Sequence, residues 1–389
     1  MRILLNGTPM LGRLTGIGQY GLRLLEALAT LPDGDRPDQI GVFNGREVVA
    51  AEAFLAGFVP VSGSPRYERL KSVIRRIWPS CRDWADRVRR WRLANGTRNA
   101  DWSLFHEPNF VAPQYALPLV TTVHDMSYLR CPQFMPKDRV AWLRRKMDQS
   151  LRRSRVVLAD SHFTRNELLE LCPHVDADRV VVTHLGVDLA YFADPMHGRR
   201  LPDVRRRLEL PERFVLYLGT LEPRKNLQGL IAAYRRLPLE VQKEHPLVLA
   251  GMTGWNQAYF RGELDELRGR GVLRQLGYVG HDDVPALLRA ATVFCFPSFY
   301  EGFGLPPLEA AACGVPVVAS RAASLPEVLG DAAVYVDPHS PDDIADGLRR
   351  VFDDQQLQAR LRVAGRARAA EFSWQCCARE TLAAYRMAA

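Results

Sequence analysis

The sequence has no long apolar run, which excludes a membrane-spanning helix. Nowhere in its 389 residues do the roughly 18 consecutive apolar residues occur that such a helix needs. The N-terminus, residues 1–7, carries one charge and is typical of a short strand, not of the apolar region of a signal peptide. We therefore expect a cytoplasmic protein.

Cysteine is sparse and irregularly placed. The seven cysteines are odd in number and scattered, and no two of them have C-x-x-C spacing. Several stand in apolar runs, as reduced core cysteines do. Neither a disulfide framework nor a zinc site is expected.

Two cofactor motifs are also missing. The glycine run 12–18 has the spacing G-x-x-x-G-x-G, not the G-x-G-x-x-G of dinucleotide-binding proteins, which argues against a nicotinamide enzyme. The tripeptide Asp-Gly-Asp at 33–35 places two carboxylates close together. It lies in a proline-flanked loop after a helical pattern, so we interpret it as a turn. No metal and no other cofactor is expected.

The residues that are present suit a two-domain α/β protein. Hydrophobic residues make up 47% and charged residues 25%, enough for packed cores and a polar surface. Short apolar runs alternate with helical patterns, which implies parallel sheets with helices on both faces. The predicted strands are 3–6, 40–43, 119–123, 156–159, 180–183, 214–218, 247–250, 293–296, 315–319 and 334–336. The clearest predicted helices are 20–31, 138–151, 226–237 and 374–386.

The domain boundary is predicted in the stretch 194–211, which is rich in arginine and proline. We divide the chain into an N-terminal domain, residues 1–195, and a C-terminal domain, residues 196–372. Residues 373–389 form a last helix.

The most informative segment is 297–309, Pro-Ser-Phe-Tyr-Glu-Gly-Phe-Gly-Leu-Pro-Pro-Leu-Glu. Glu301 and Glu309 stand eight positions apart around a glycine turn that leads from a strand into a helix. Such a turn directs backbone N–H groups and the positive end of the helix dipole at an anion. Carboxylates beside an anion site are useful if they bind hydroxyl groups. A ligand with both phosphates and hydroxyls, such as a nucleotide sugar, fits this combination.

This segment resembles the E-x7-E signature of the retaining glycosyltransferases of family 4, and the similarity continues through Ala-Cys-Gly-Val-Pro-Val-Val at 312–318. Residues 219–226 match equally well, and 12–18, 124–125 and 184–188 support the resemblance, which covers nearly the whole chain. It implies the α/β fold named GT-B, in which two Rossmann-like domains face each other across a cleft. The N-terminal domain is then on the acceptor side, the C-terminal domain binds the nucleotide sugar, and the last helix crosses back.

Chemistry and resemblance together assign the donor site. Breaking a sugar–phosphate bond leaves negative charge on the phosphate, and Arg224 and Lys225 are the cations expected to stabilise it. The resemblance implies that Glu301 binds hydroxyls of the transferred sugar and that Glu309 binds the ribose. The other expected donor-binding residues are Gly16, Gly18, Gly219, Gly302, Phe303, Gly304 and Leu305.

His124 and Asp125 follow the strand 119–123 and match the family's His-Asp pair beside the transferred sugar and the acceptor. We expect them to be catalytic, together with Arg224, Lys225 and Glu301. The mechanism that the resemblance implies is a same-face substitution, in which the leaving phosphate helps to deprotonate the acceptor.

The positive charge of the chain is concentrated in residues 66–98. This segment has eleven Lys or Arg and three acids, a net charge of +8, which equals the formal net charge of the whole protein. Tryptophans and aliphatic residues repeat there at helical spacing, a pattern typical of helices at a membrane surface. An ordinary packed helix would show the same stripe, and nucleic acid could use the same charge. We favour the membrane surface and expect no nucleic acid.

The predicted function is therefore transfer of a hexose from a nucleotide-diphosphate sugar to a glycan or a polyprenyl-diphosphate-linked acceptor, in bacterial surface polysaccharide synthesis. Residues 123–128 and onward to 164 resemble bacterial mannosyl- and rhamnosyltransferases, which favours GDP-mannose or GDP-rhamnose and leaves UDP sugars open. The protein is expected in the cytoplasm, peripheral on the inner face of the membrane. The alternatives are a nucleotide-sugar epimerase of the same fold and a non-catalytic protein that binds membranes or nucleic acid.

Overall fold

The chain divides into two compact units. The computed structural model describes residues 1–12, 14, 16–58, 81–97, 101–252 and 261–389, with the side chains of the 81–97 stretch described from residue 87 onward. Unit 1 comprises Met1–Leu129, Lys137–Gly186 and Trp374–Ala389, and unit 2 comprises Arg130–Pro136 and Val187–Ser373. Apart from the short segment Arg130–Pro136, the chain passes from unit 1 to unit 2 after Gly186, earlier than the boundary at 195/196 that the sequence predicts.

Unit 1 contains a seven-stranded sheet in the order β3-β2-β1-β4-β5-β6-β7. The pair β2–β3 is antiparallel, and the other pairs are parallel. The strands are β1 (Arg2–Asn6), β2 (Gln39–Phe43), β3 (Val48–Ala50), β4 (Leu104–Glu107), β5 (Leu119–Val123), β6 (Ser154–Ala159) and β7 (Val180–Val182).

Unit 2 contains a six-stranded sheet, parallel throughout, in the order β10-β9-β8-β11-β12-β13. Counted from β8, this is the 3-2-1-4-5-6 order of the Rossmann fold. The strands are β8 (Val215–Leu218), β9 (Leu247–Ala250), β10 (Leu273–Gly277), β11 (Val293–Phe296), β12 (Val317–Ser320) and β13 (Ala333–Val336).

Helices connect the strands, as parallel pairing requires. In the described part of unit 1 they are α1 (Gly16–Ala29), α2 (Ala51–Ala56), α3 (Cys81–Gly96), α4 (Ser127–Arg130), α5 (Lys137–Arg153) and α6 (His162–Leu171). In unit 2 they are α7 (Leu189–Ala193), α8 (Met196–Arg207), α9 (Leu227–Arg235), α10 (Leu239–Glu244), α11 (Arg261–Gly269), α12 (Val284–Ala290), α13 (Leu305–Ala312), α14 (Leu325–Leu329), α15 (Pro341–Asp353) and α16 (Gln355–Ala370). The last helix, α17 (Trp374–Ala388), belongs to unit 1.

The central strands of both sheets are buried on both faces, which explains why they read as continuous apolar runs. Every residue of β5, β9 and β11 is buried. The sequence did not predict three strands, β3, β4 and β10, because none of them is a long apolar run. Among them, β4 is fully buried but carries His106 and Glu107 in its second half, and these polar residues concealed it.

Two further features of the sequence are the Asp-Gly-Asp tripeptide and the basic segment 66–98. The tripeptide at 33–35 forms a turn, as predicted, with Asp33 paired to Arg36. Residues 66–80 and 98 of the basic segment, and the side chains at 81–86, lie outside the described part of the chain. Among the residues that are described, no helix is long and apolar enough to cross a bilayer.

Candidate active site

The cation pair lies at the carboxyl end of β8, beside β11, where the strand order of unit 2 reverses. In open parallel sheets, this switch point is where ligands bind. Arg224 and Lys225 stand in a single 3₁₀ turn, Pro223–Lys225, and not in the helix itself, which begins at Leu227. The turn ends at Asn226, whose φ of 56° and ψ of 39° put it in the left-handed region.

The side chain of Asn226 joins three loops at this edge of the sheet by hydrogen bonds. Its Nδ2 donates to the carbonyl oxygens of Pro297 (3.0 Å) and Pro338 (2.7 Å), after β11 and β13. Its Oδ1 accepts from the N–H of Gly229 at 3.1 Å and caps α9. The side chain is buried, so each of these polar atoms has a protein partner in place of water. The sequence analysis did not single it out, although asparagine directly before a helix is a recognisable cap.

The glutamate turn follows β11 and is held by one serine. Ser324 Oγ lies 2.9 Å from the carbonyl oxygens of both Glu301 and Phe303 and donates to this carbonyl pair. Gly304 has a φ of 106°, which favours glycine, and a Cβ there would lie 2.6 Å from Leu325 Cδ2. The turn is thereby shaped by its backbone, and α13 starts directly after it at Leu305.

Four charged side chains with little exposure form one cluster at this edge, the charge cluster of Glu222, Arg224, Lys225 and Glu301. Lys225 Nζ donates to Glu301 Oε1 at 2.9 Å, and Arg224 Nη1 lies 3.3 Å from Glu301 Oε2. On its other side, Arg224 Nη2 donates to Glu222 Oε1 at 2.9 Å. Arg224 also donates to the carbonyl oxygen of Tyr300. All four side chains are between 10% and 13% exposed, so their charges are poorly screened.

The cluster fixes the charge of Glu301. Burial opposes its ionisation, but Lys225 and Arg224 outweigh burial and lower the pKa of Glu301 to about 2. Burial and the nearby Glu301 raise the pKa of the Tyr217 phenol well above its usual value. At neutral pH, Glu301 is therefore a carboxylate, which can accept hydrogen bonds from hydroxyl groups but has no proton to give.

Two glycines allow a close backbone approach next to the cluster. Gly219 follows β8 with a φ of 155°, and its N–H donates to the carbonyl oxygen of Ala250 at 2.9 Å. Gly251 follows β9 with a φ of 139°, and a Cβ there would lie 1.9 Å from the carbonyl oxygen of Gly219. The sequence analysis named Gly219 but not Gly251, whose signal is a glycine directly after a buried strand.

The remaining predicted donor residues of unit 2 surround the glutamate turn. Gly302 and Phe303 are buried, and the Phe303 ring packs edge-on against Phe372 at 5.6 Å. Glu309 is half-buried in α13. α13 begins at Leu305, so Glu309 opens the second turn of this helix.

In unit 1, His124 follows β5 and both of its ring nitrogens face acceptors. Nδ1–H donates to Asp160 Oδ2 at 2.7 Å, and Nε2–H donates to the carbonyl oxygen of Pro108 at 2.8 Å. Two acceptors require a proton on each nitrogen. Burial opposes that charge, but the Asp160 carboxylate outweighs it and raises the pKa of His124. His124 and Asp160 form one buried hydrogen-bonded pair, and burial also raises the pKa of the Asp160 carboxyl.

The other predicted site residues of unit 1 are Asp125 and two glycines of α1, Gly16 and Gly18. Asp125 Oδ1 accepts from the N–H and the hydroxyl of Ser127, at 2.9 and 2.6 Å, at the start of α4. Gly18 is buried, and a Cβ there would lie 2.9 Å from the carbonyl oxygen of Pro9. Gly16 is the first residue of α1 and would meet nothing within 4 Å. Gly18 is therefore explained by packing, whereas Gly16 has open space beside it.

The sequence analysis missed a polar network at the switch point of the unit 1 sheet, between β1 and β4. Asn6 Nδ2 donates to Glu107 Oε2 at 2.7 Å, and burial raises the pKa of Glu107 to about 8. The neighbouring His106 lies within hydrogen-bonding distance of Thr122 (2.8 Å) and of Tyr385 on α17 (2.6 Å). These buried polar residues tie α17 to the sheet of its own unit.

Comparisons with known proteins divide the chain at nearly the same place as the two units. The family described as Glycosyltransferase Family 4 matches residues 16–191, and Glycosyl transferases group 1 matches residues 203–368. The chain is 35% identical to O-antigen chain mannosyltransferase B of Escherichia coli over 100% of both proteins. Sucrose-phosphate synthase from Thermosynechococcus elongatus has a TM-score of 0.71 at 21% identity, covering 99% of this chain and 98% of that one. Anabaena HepE in complex with UDP-glucose has a TM-score of 0.65 at 20% identity, covering 98% of each chain.

The two Rossmann-like units and the similarity to these solved structures define the GT-B fold. The family matches and the full-length relative show that the protein is a glycosyltransferase. The chain belongs to glycosyltransferase family 4. The predicted fold class and enzyme class are thereby confirmed.

Proposed function

We propose that this protein is a retaining, metal-independent mannosyltransferase. It would move mannose from GDP-mannose to a glycan or polyprenyl-diphosphate-linked acceptor in the synthesis of a bacterial surface polysaccharide. The observation that carries the proposal is the charge cluster, and the donor sugar is suggested by the full-length similarity to the Escherichia coli mannosyltransferase. GDP-rhamnose is the second candidate donor.

The reaction needs positive charge where the diphosphate leaves. When the bond between the sugar C1 and the phosphate oxygen breaks, the electron pair stays on the phosphate. Arg224 and Lys225 lie at the carboxyl edge of the sheet and would meet that charge with groups already in place. The acceptor hydroxyl would form the new bond to C1 on the same face and pass its proton to the leaving phosphate.

The two glutamates would bind hydroxyl groups. Glu301, ionised and held by Lys225, would accept hydrogen bonds from the transferred sugar. Glu309, in the second turn of α13, would accept hydrogen bonds from the ribose hydroxyls. The backbone N–H groups of the glycine turn would contact the diphosphate.

We propose metal independence because the cluster already brings two cations to the diphosphate. A divalent metal ion bridging the phosphates would take the place of these side-chain contacts. Chelation of divalent metals is accordingly expected to leave nucleotide binding unchanged.

Calorimetry with GDP, UDP and ADP in the presence of EDTA tests the proposed donor. Saturable binding of GDP in preference to the other two is expected, and Glu309→Ala should weaken it by roughly tenfold, the value of about one charged hydrogen bond. Glu240→Ala, which removes an exposed glutamate of α10, is the matched control. Preference for UDP would overturn the choice of donor, and no binding of any nucleotide would overturn the proposed function.

We further propose that the protein works at an anionic membrane surface. On α3, Arg87, Arg89 and Arg92 are exposed, and Trp91 between them is 65% exposed. Leu93 of the same helix is buried and anchors it in unit 1. Basic residues gain about 1 kcal/mol each near anionic lipid, and tryptophan prefers the headgroup level. A lipid-linked acceptor would be reached from this position.

Vesicle co-sedimentation tests the membrane proposal. Vesicles with anionic lipid should bind the protein and neutral vesicles should not, and Trp91→Ala should weaken the binding by roughly tenfold. Val363→Ala, which removes an apolar side chain that is 71% exposed on α16, is the control and should have no effect. Equal binding of both variants would contradict a role for the exposed Trp91.

A further inference from the structure

Glu222 is a buried carboxylate to which neither the family signature nor the proposed chemistry gives a role. It lies between β8 and the 3₁₀ turn and is 8% exposed. Its backbone is fixed on both sides, since its N–H donates to the carbonyl oxygen of Thr220 at 2.9 Å and its carbonyl oxygen accepts from the N–H of Lys225 at 3.1 Å. The side chain is therefore held in one place by the same turn that presents the cation pair.

Glu222 binds the guanidinium that would meet the diphosphate. Arg224 uses Nη2 for Glu222 and Nη1 for Glu301 and the carbonyl oxygen of Tyr300. A guanidinium has five N–H donors in a fixed plane, so contacts at both ends define its orientation. A phosphate that approaches Arg224 must share or replace one of these contacts. Glu222 is thus a competitor for the group that binds the anion.

The charges of the cluster balance in the free protein. Two glutamates and two cations leave the buried cluster neutral, and Glu301 is the partner that both cations share. Without Glu222, the cluster would carry one net positive charge at the place where a diphosphate binds. A poorly screened unit charge next to a bound anion changes the affinity for that anion substantially. Glu222 therefore weakens the attraction of the site for any nucleoside diphosphate.

We propose that Glu222 is a positioning residue that acts through Arg224: it orients the guanidinium and offsets its charge, so that the product nucleoside diphosphate can leave after transfer. This inference rests on the proposed function, because it takes the charge cluster as the diphosphate site. Release of the product limits the turnover of many enzymes, so a countercharge at the leaving group's site is useful.

Calorimetry of GDP binding to Glu222→Gln tests this inference. Glutamine keeps the oxygen that accepts from Arg224 and removes only the charge, so GDP is expected to bind roughly tenfold more tightly, with a steeper loss of affinity as salt is added. If Glu222 served the structure alone, the same variant would bind GDP equally or less well. The sign of the change therefore separates the two roles.

Two further variants complete the design. Glu244→Gln also removes one negative charge from unit 2, but at the end of α10, before the amino end of β9, and should leave GDP affinity unchanged. In an Arg224→Ala background, adding Glu222→Gln should tighten GDP binding by less than threefold, because the group through which Glu222 acts is absent. A tenfold gain in that background would overturn the assignment to Arg224.

The outcome separates this inference from the proposed function. If wild-type protein binds no nucleoside diphosphate, the proposed function fails and Glu222 loses its role with it. If wild-type protein binds GDP, Lys225→Ala weakens the binding, and Glu222→Gln leaves it unchanged, only the inference about Glu222 is wrong. Thermal unfolding of each variant shows whether an altered affinity reflects a damaged fold.

Discussion

Replacing Lys225 by alanine is expected to lower the rate of sugar transfer by roughly 10²- to 10³-fold, the usual effect of removing one preorganised group that stabilises a developing negative charge. Lys225 lies at the switch point of unit 2, with 12% of its side chain exposed, and donates to Glu301. Its removal takes away one of the two cations that we propose to meet the leaving phosphate and one of the groups that keep Glu301 ionised. Transfer assays with the nucleotide sugar and acceptor measure the effect.

Lys243→Ala is the matched control for this prediction. Lys243 is an exposed lysine of α10 in the same unit, and its replacement should leave the rate unchanged. Lys225→Arg keeps the charge but not the compact ammonium that fits beside Glu301, so partial activity is expected. A Lys225→Ala protein that transfers sugar at the wild-type rate would remove this residue from the mechanism.

Gly251→Ala is expected to destabilise unit 2 by roughly 3–5 kcal/mol, the combined effect of overpacking and of strain at a positive φ. The added Cβ would lie 1.9 Å from the carbonyl oxygen of Gly219, and this neighbour is backbone, which cannot rotate away. The φ of 139° adds a conformation that alanine rarely adopts. The loops after β8 and β9 must then separate, so nucleotide binding should fall together with the thermal midpoint.

Gly269→Ala tests whether the loss of stability is specific to the close contact between Gly251 and Gly219. Gly269 is the last residue of α11 in the same unit, and a Cβ there meets nothing within 4 Å. Alanine should therefore be neutral or stabilise the protein by up to about 1 kcal/mol. Differential scanning calorimetry compares the two variants. Equal midpoints for both would show that the contact between the loops after β8 and β9 is not tight.

The strands that the sequence predicted are largely apolar, whereas β4 and β10 carry polar residues and β3 has only three residues. β5, β8 and β11 are buried on both faces and read directly as strands. β4 was missed because two of its four residues, His106 and Glu107, are polar, although both are buried. Their partners, Thr122, Tyr385 and Asn6, are distant in the sequence, so pattern alone could not show that a buried strand would tolerate them.

The sequence singled out three residues of the charge cluster, but it did not show their contacts. Arg224, Lys225 and Glu301 were identified because they follow strands and because the surrounding motif is specific. The sequence did not show that Glu222 pairs with Arg224, or that Asn226 joins the loops after β8, β11 and β13. The contacts of Asn226 form only when parallel strands bring their carboxyl ends to one edge, whereas the pair Glu222–Arg224 is local to one turn.

His124 illustrates the limit of a residue-by-residue prediction. Its place after β5 suggested a catalytic role, which stays a prediction. The structure adds that its nitrogens donate to Asp160 and to the carbonyl oxygen of Pro108, which come from different loops. Because both nitrogens are engaged by protein groups, His124 can exchange a proton with a substrate only if one of these hydrogen bonds breaks.

A crystal structure of the protein with bound GDP tests the central claim most directly. The account predicts that phosphate oxygens lie within hydrogen-bonding distance of Arg224 and Lys225, that the ribose contacts Glu309, and that Glu301 keeps its bond to Lys225. A nucleotide bound elsewhere in unit 2, or one whose phosphates contact neither cation, would contradict the account.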